Sequence, residues 1–257
     1  MKYSEVVFHS VVLSCALGFF SGLAYGGDVS FLNLKDVSRQ AVYADEASTA
    51  KANIIAITGG NGLNDPIMTP NFLGRAKEDF TGKNSINYYM FPNNERKEIA
   101  TPITRSSKER MGRLGNLIKE IKSRNNLPIY IAGFSRGSIE ASLAVNQYDI
   151  AGVIILSGMF DNPGKRKTPL YRSHLTQNII KETDKRILVV HHVKDECKQT
   201  PFGKAEKFYY DVKASDKKMI RLNGGGDTGK ICGPLNYHGL EGWETYLAKE
   251  ITDWVVK

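Results

Sequence analysis

The stretch that decides the fold runs Ile129-Tyr130-Ile131-Ala132, then Gly133-Phe134-Ser135-Arg136-Gly137, then residues 138–145, SIEASLAV. The first part is typical of a buried strand and the last of a helix, so the pattern is strand, G-x-S-x-G, helix. A serine at such a turn has strained backbone angles and presents its hydroxyl above the sheet, and the flanking glycines leave room for the neighbouring strand and helix. The motif predicts that Ser135 is a nucleophile. The alternative is a serine that merely caps a helix after a glycine turn.

Outside this stretch, short apolar runs alternate with amphipathic segments. This alternation is typical of a mainly parallel sheet covered by helices on both faces, so the predicted fold class is α/β. The strand candidates are residues 53–58, 85–91, 129–132, 151–156, 186–190 and 219–222, each bounded by Gly, Asn, Asp or Pro.

Two segments have the apolar spacing of helices that pack one face against a sheet. Ser106 and Glu109 form the S-x-x-E pattern of a capping box at the start of the first segment. The second segment ends the chain. The apolar stripes are Met111, Leu114, Leu117, Ile118 and Ile121 in the first, and Trp243, Leu247, Ile251 and Trp254 in the second.

Composition excludes several classes of protein. A chain of 257 residues with 41% hydrophobic and 24% charged residues is neither collagen-like, nor disordered, nor a polytopic membrane protein. The net charge of +8 permits anionic partners such as phospholipid, lipopolysaccharide or nucleic acid without selecting one. Residues 25–52 are polar and poorly patterned, and no linker or repeat follows them, so residues 25–257 are expected to form one domain. No cluster of side chains at metal-ligand spacing is visible, so neither a metal nor an organic cofactor is expected.

The N-terminus predicts export. Lys2 precedes an apolar run over residues 11–20, and Gly22-Leu23-Ala24 supplies the small residues that a signal peptidase requires. We interpret residues 1–24 as a cleaved signal peptide, which places the mature chain in the periplasm or outside the cell, with no stable membrane span. An uncleaved anchor is the alternative, because residues 6–24 approach the length of a spanning helix. A lipoprotein signal at Cys15 fits less well, because the sequence after it stays hydrophobic.

Removal of the signal leaves two cysteines, Cys197 and Cys232. An even number of cysteines in an oxidising compartment favours a disulfide, and two buried thiols are the alternative.

The strand, G-x-S-x-G and helix resemble the α/β-hydrolase superfamily, whose serine is followed along the chain by an acid and then a histidine. Asp195 follows the strand candidate 186–190, and His238 directly precedes the terminal helix, so both match the family's positions. The resemblance covers residues 53–257. It implies a triad in which His238 takes the proton of Ser135 while Asp195 orients and stabilises the imidazole.

Other candidates for the acid and the base stay open at this point. Asp161, after the preceding strand, is the main alternative acid, and Glu196 and Asp227 are weaker ones. Among the other histidines, His191 and His192 at a strand end are expected to be supporting or structural residues, and His174 in a polar segment is expected to be solvated.

Residues 58–62, TGGNG, follow the first strand candidate and resemble the family's glycine-rich oxyanion loop. The resemblance implies that the backbone N–H groups of Gly60 and Arg136 stabilise the oxyanion, with Asn61 as the alternative to Gly60. A phosphate-binding loop is disfavoured because the Lys-Ser/Thr pair of a P-loop is missing.

The family often inserts a lid after the strand that follows the nucleophile helix. Here residues 160–185 join two strands and must also supply a helix, expected around residues 173–182, so the lid should be minimal and the site open. Lys165, Arg166 and Lys167 in this segment are candidate substrate-binding residues beside the mouth of the site, and a solvated charged face is the alternative.

The resemblance implies a serine hydrolase, carboxylesterase-like, that cleaves a carboxylic ester through an acyl-enzyme. Its expected partner is a small-molecule or lipid-like acyl substrate, including an anionic one, and nucleic acid is not expected. A thioesterase, an acyltransferase or a serine peptidase would use the same triad. A non-catalytic envelope-binding protein with a hydrolase fold is the alternative from another class.

Overall fold

The structure, a computed structural model, describes residues 28–34, 40–82, 85–95, 97–162 and 172–257. The predicted signal peptide, residues 1–24, and the basic residues Lys165, Arg166 and Lys167 lie outside these ranges. Within them, no helix combines the length and the apolarity needed to cross a membrane.

The strands are β1 Asp28–Leu32, β2 Val42–Glu46, β3 Ala52–Ile57, β4 Ile86–Met90, β5 Ile129–Phe134, β6 Gly152–Leu156, β7 Glu182–Thr183, β8 Arg186–His192, β9 Lys213–Ala214 and β10 Lys217–Leu222. Eight of them form a central sheet in the order β1-β2-β4-β3-β5-β6-β8-β10. A separate short parallel pair, β7 with β9, lies outside this sheet. The helices are α1 Phe72–Arg75, α2 Lys77–Thr81, α3 Pro102–Arg105, α4 Lys108–Arg124, α5 Ser138–Gln147, α6 Thr176–Ile179, α7 Phe202–Asp211 and α8 Glu244–Val255.

From β4 to β10 neighbouring strands are parallel, and β2 and β1 are added antiparallel at one side. The central strand β3 shows the register, because Ile55 pairs with Tyr89 on one side and with Ile131 on the other. Parallel strands share one carboxyl edge, so the loops after β3, β5, β6, β8 and β10 meet there. Ligand sites of open α/β sheets form at this edge.

The core lies on both faces of the sheet. Along β3, Ile55 and Ile57 join the apolar cluster beneath α4, α5 and α7, whereas Ile54 and Ala56 join the cluster beneath α1, α2 and α8. A strand buried on both faces is apolar at nearly every position. This requirement explains why the central strands were predictable from continuous apolar runs.

Strands β1 and β2 were not predicted, since residues 25–52 showed no pattern. In β1 only Leu32 is buried, and Val29 and Phe31 are exposed, as suits an edge strand. In β2 a charged residue, Asp45, is buried among apolar neighbours. Neither strand therefore carries a clean periodic signal.

Two helix predictions were wrong in detail. Ser107 rather than Ser106 caps α4, since its Oγ accepts the N–H of Arg110 at 3.2 Å. Ser106 instead ends the preceding helix α3, and its Oγ donates back to the Pro102 carbonyl at 3.1 Å. The helix expected over residues 173–182 is shortened to α6, because the chain becomes extended at Ile180 and enters β7.

Candidate active site

The sharp turn after β5 carries Ser135. Its φ of 51° lies in the left-handed region, which a serine rarely adopts, and the chain then passes through one 3-10 turn into α5. A Cβ on Gly133 would lie 2.6 Å from the Gly137 carbonyl oxygen, and a Cβ on Gly137 would lie 2.2 Å from the Ile57 carbonyl oxygen. Both glycines are therefore required by close contacts, as the sequence motif predicts.

Ser135, His238 and Asp195 lie together, although up to 103 residues separate the contacting pairs along the chain. His238 Nε2 lies 3.1 Å from Ser135 Oγ, and His238 Nδ1 lies 3.0 Å from Asp195 Oδ2. All three residues are buried. With a proton on Nδ1 bonded to the carboxylate, Nε2 is free to accept the serine proton.

The Asp195 carboxylate has several further partners. Thr200 Oγ1 donates to Oδ2 at 2.8 Å, and the Cys197 N–H donates to Oδ1 at 2.9 Å. His191 Nε2 lies 3.3 Å from Oδ2 and also bonds the Thr200 carbonyl at 2.8 Å. Burial raises the pKa of Asp195, but hydrogen bonds from His191 and His238 outweigh burial and hold that pKa well below its usual range. The carboxylate therefore stays charged next to the imidazole.

The alternative acids have other surroundings. Asp161 forms an ion pair with Lys204 at 2.7 Å. Glu196 and Asp227 are exposed. Of the four candidate carboxylates, Asp195 is the one that bonds His238 within the described residues.

The glycine loop after β3 packs directly against the serine. A Cβ on Gly59 would lie 2.8 Å from the Cβ of Ser135, so the backbone comes this close only because Gly59 lacks a side chain. Gly60 has a φ of 56°, and it lines the same pocket as Ser135 and His238. Arg136 is the middle residue of the 3-10 turn that begins at Ser135. The loop and the turn thus bring both predicted oxyanion donors to the same edge of the sheet.

The pocket above Ser135 has a volume of about 220 Å³. Phe134 and Pro234 contribute apolar walls, and Cys232 lines the rim. The pocket is small, and its walls are partly polar and partly apolar, as is usual for small-molecule sites. No group of three or more His, Cys, Asp or Glu side chains with the geometry of a metal site occurs among the described residues.

The predicted disulfide is confirmed. Cys197 and Cys232 are bonded across 35 residues of sequence, with their Cα atoms 4.9 Å apart. Cys197 lies in the loop that carries Asp195, and Cys232 lies in the loop that carries His238. The bond therefore joins the loops of the candidate acid and the candidate base.

The other histidines among the described residues, His174, His191 and His192, are buried. His192 stacks on Tyr237 with 4.4 Å between ring centroids, and its Nε2 bonds the Gly224 carbonyl at 2.8 Å. His174 was expected to be solvated, and this expectation was wrong. Its exposed fraction is 7%, and its Nε2 lies 2.9 Å from Ser106 Oγ. The polar segment that contains His174 folds back onto the end of α3, which its composition does not reveal.

Sequence reasoning missed the residues that hold the His238 loop. Ser157 Oγ donates to the His238 carbonyl at 2.9 Å. Ser157 directly follows β6 at the carboxyl edge of the sheet, and this position is a signal by which the sequence could have identified it. Arg75, on the distant helix α1, donates to the Gly239 carbonyl at 2.9 Å and pairs with Glu244 at 2.7 Å. Arg75 is 164 residues from Gly239 along the chain, so no motif around either residue could have predicted their contact.

The sequence matches no protein-family model and no curated protein. The structure is similar to acylaminoacyl peptidase from Pyrococcus horikoshii, with a TM-score of 0.65 and 14% identity over 91% of this chain and 42% of the peptidase chain. The chain thus spans less than half of that peptidase. The structure is also similar to an α/β serine hydrolase homologue from Coxiella burnetii, with a TM-score of 0.58 and 14% identity over 89% and 97% of the two chains. The esterase domain of a Rhodothermus marinus protein has a TM-score of 0.59 and 9% identity over 89% and 97%.

These solved structures share the mainly parallel sheet with helices on both faces that the chain displays. At these identities the likeness identifies the fold, and it agrees with the strand, G-x-S-x-G, helix order from which that fold was predicted. The chain has the fold of the α/β-hydrolase superfamily.

Proposed function

We propose that the chain is a serine hydrolase that cleaves a carboxylic ester, with Ser135 as nucleophile, His238 as general base and Asp195 as the acid that orients it. The observation that carries this proposal is the continuous hydrogen-bonded series from Asp195 Oδ2 through His238 to Ser135 Oγ, with distances of 3.0 and 3.1 Å. A hydroxyl is a weak nucleophile until a base within hydrogen-bond reach removes its proton, and this series provides that base.

In the first half-reaction, His238 Nε2 takes the proton of Ser135 as Oγ attacks the ester carbonyl carbon. The carbonyl oxygen becomes negatively charged, and the N–H groups of Gly60 and Arg136 donate to it. Asp195 stabilises the imidazolium through the Nδ1–H bond. His238 then donates its Nε2 proton to the departing alcohol oxygen, the C–O bond breaks, and the acyl group stays on Ser135.

In the second half-reaction, His238 removes a proton from water, and the resulting hydroxide attacks the acyl carbon. The collapse of this second tetrahedral intermediate returns the proton to Ser135 Oγ and releases the carboxylic acid. No oxidant or further reactant is consumed, since ester and water yield acid and alcohol.

The preference for an ester over an amide draws on the occurrence of an esterase domain among similar structures, alongside a peptidase. A thioesterase, an acyltransferase and a serine peptidase use the same groups. A panel of p-nitrophenyl esters of graded acyl length, assayed beside thioesters and N-acyl peptides, separates these substrate classes. The highest kcat/KM is expected for an ester.

We further propose that the protein works outside the cytoplasm. The Cys197–Cys232 disulfide supports this location, because such bonds persist in oxidising compartments. Cell fractionation of the native protein tests the location, and recovery in the cytoplasm with two free thiols would contradict it.

A fluorophosphonate probe tests the nucleophile. Wild-type protein should be labelled once, and Ser135→Ala should be neither labelled nor active while unfolding at a normal denaturant concentration. Ser123→Ala is the matched control, because Ser123 is exposed on α4 and its hydroxyl donates to the carbonyl of Glu120. Near-normal turnover by Ser135→Ala would rule out the proposed nucleophile, and absence of labelling in the wild type would favour a binding protein.

A further inference from the structure

A buried ionic cluster lies directly beneath the glycine loop. It consists of Arg105 at the end of α3, Arg110 in α4 and Glu140 in α5, all at most 1% exposed. Glu140 accepts from Arg105 through Oε2 and from Arg110 through Oε1, the latter at 2.7 Å. Burying three charges is costly unless each is paired and hydrogen-bonded, and breaking one such pair leaves an uncompensated charge. The burial of these three charges is therefore unlike ordinary apolar packing, and the contacts of Arg105 indicate what the cluster does.

Arg105 uses its remaining donors on the loop. Its Nη2 donates to the Thr58 carbonyl at 2.9 Å and lies 3.3 and 3.4 Å from the carbonyl oxygens of Gly59 and Gly60. Its Nε donates to the Ala100 carbonyl at 3.0 Å, and the Ala100 N–H in turn donates to the Asn61 carbonyl at 2.9 Å. One guanidinium thus holds consecutive carbonyl groups of the loop from a single side.

Fixing these carbonyl groups also fixes N–H groups. In a trans peptide the C=O and the N–H of one plane point in opposite directions, and no described peptide bond is cis. Holding the Gly59 carbonyl therefore orients the Gly60 N–H away from Arg105, and holding the Gly60 carbonyl does the same for the Asn61 N–H. Neither N–H donates to another described residue. Gly60 lines the pocket that contains Ser135 Oγ.

Glu140 connects Arg105 and the glycine loop to the nucleophile. It lies in α5, the helix that begins immediately after the Ser135 turn. The salt bridge from Glu140 to Arg105 therefore ties the helix of the nucleophile to the loop of the oxyanion donors. A carboxylate and a guanidinium with several donors can fix both distance and orientation, which a lysine ammonium cannot.

We propose that Arg105 is a positioning residue that holds the backbone N–H of Gly60, or of its neighbour Asn61, toward the oxyanion, and that Glu140 sets the distance between this loop and Ser135. The proposal rests on the serine-hydrolase function proposed above. Arg105 touches neither substrate nor the reacting atoms, and it acts through the peptide planes of the loop. Loss of an oxyanion donor lowers kcat by about 10²–10³-fold, since the donor acts mainly in the transition state.

The test compares Arg105→Lys with Arg110→Lys. Both changes remove one guanidinium from Glu140, but Arg110 bonds the Pro92 carbonyl at 2.6 Å and makes no hydrogen bond to the glycine loop within the described residues. Active sites are counted by end-point fluorophosphonate labelling, and kcat and KM are measured per labelled site on one p-nitrophenyl ester. Arg105→Lys should lower kcat by about 10²-fold with KM within about threefold of wild type. Arg110→Lys should lower the denaturant midpoint and leave kcat per labelled site near wild type.

An alkyl boronic acid gives a second readout, because it forms a tetrahedral adduct with an activated serine and resembles the transition state. Its affinity should fall in Arg105→Lys by the same factor as kcat. If Arg105→Lys does not fold, Glu140→Gln serves instead, because it removes the charge between two guanidinium groups while keeping the shape of the side chain. It should lower kcat at unchanged KM.

Equal kcat per labelled site in Arg105→Lys and wild type, or in Glu140→Gln and wild type, would overturn the positioning role. A rise in KM with kcat unchanged would overturn it as well. Failure of the wild type to react with the probe would instead overturn the serine-hydrolase proposal, so the two failures are distinguishable.

Discussion

Removing the Cys197–Cys232 disulfide should damage catalysis more than folding. Residues 193–201 and 223–243 are fully described, and neither stretch contains a helix or a strand of the sheet. These two loops carry Asp195 and His238, and the disulfide is the covalent bond between them. Cys197→Ser with Cys232→Ser is the appropriate change, since a single substitution would leave a reactive thiol beside the pocket.

The size of each effect follows from the loop that the bond closes. For a separation of 35 residues, the chain-entropy relation gives a stabilisation of about 3.8 kcal/mol at 25 °C. A domain with about 5–15 kcal/mol of stability remains folded after such a loss. A displacement of about 1 Å between catalytic groups can cost on the order of 10²-fold in rate. We therefore expect a folded double mutant with kcat reduced by about 10²-fold.

Urea unfolding measures the first effect, and kcat on a p-nitrophenyl ester measures the second. Ile121→Ala is the matched control, because Ile121 is buried in α4 outside the pocket lining and its truncation should cost about 2–5 kcal/mol, a similar amount. The control should keep wild-type kcat per folded molecule. Two titratable thiols in the native protein, or full activity in the double mutant, would refute the idea that the bond holds the candidate acid and base in place.

Three further expectations follow from the site. Asp195→Asn should lower kcat by about 10³–10⁴-fold. Asp161→Asn should retain most activity, because Asp161 pairs with Lys204. A larger loss of kcat in Asp161→Asn than in Asp195→Asn would assign the acid to Asp161. The pKa of Asp195 is below its unfolded value of about 3.9, so its ionised form adds stability that is present above that value and lost as the pH falls through the folded-state pKa. Urea midpoints should therefore drop toward acid pH more steeply in wild type than in Asp195→Asn, and parallel profiles would contradict this. Replacing Lys165, Arg166 and Lys167 by Ser should slow hydrolysis of anionic esters more than hydrolysis of neutral ones, and added salt should have the same effect on the wild type. Equal slowing of anionic and neutral esters would show that these residues belong to a solvated charged face.

The part of the site that was predictable depends on local geometry. Gly133 and Gly137 must lack side chains because backbone atoms lie within 2.2–2.6 Å of where a Cβ would be, so the spacing around Ser135 is visible in the sequence. The positions of Asp195 and His238 followed from the resemblance to a superfamily with a fixed order of elements, and their hydrogen bonds could be read only from the structure.

The part that was not predictable depends on contacts between distant segments. Arg105 and Glu140 are 35 residues apart, and each looks like an ordinary charged residue of an exposed helical face, although both are fully buried. Thr200 is likewise an unremarkable threonine until the loop folds its hydroxyl onto Asp195. His174 was expected to be solvated because its segment is polar, but tertiary packing buries it. Strand β1 was missed for a different reason, because an edge strand with Val29 and Phe31 exposed shows no periodic burial pattern.

The hydrogen bonds from Arg75 to the His238 loop have a consequence for the order in which the site is completed. Arg75 and Gly239 are 164 residues apart, and Glu244, which pairs with Arg75, begins α8. Contacts of long sequence separation form late in folding, whereas the strand, turn and helix around Ser135 are local in sequence. The turn of Ser135 can therefore form before the imidazole is in place. A refolding chain should thus regain its sheet before it regains reactivity at Ser135, because docking of the His238 loop against α1 is a late step.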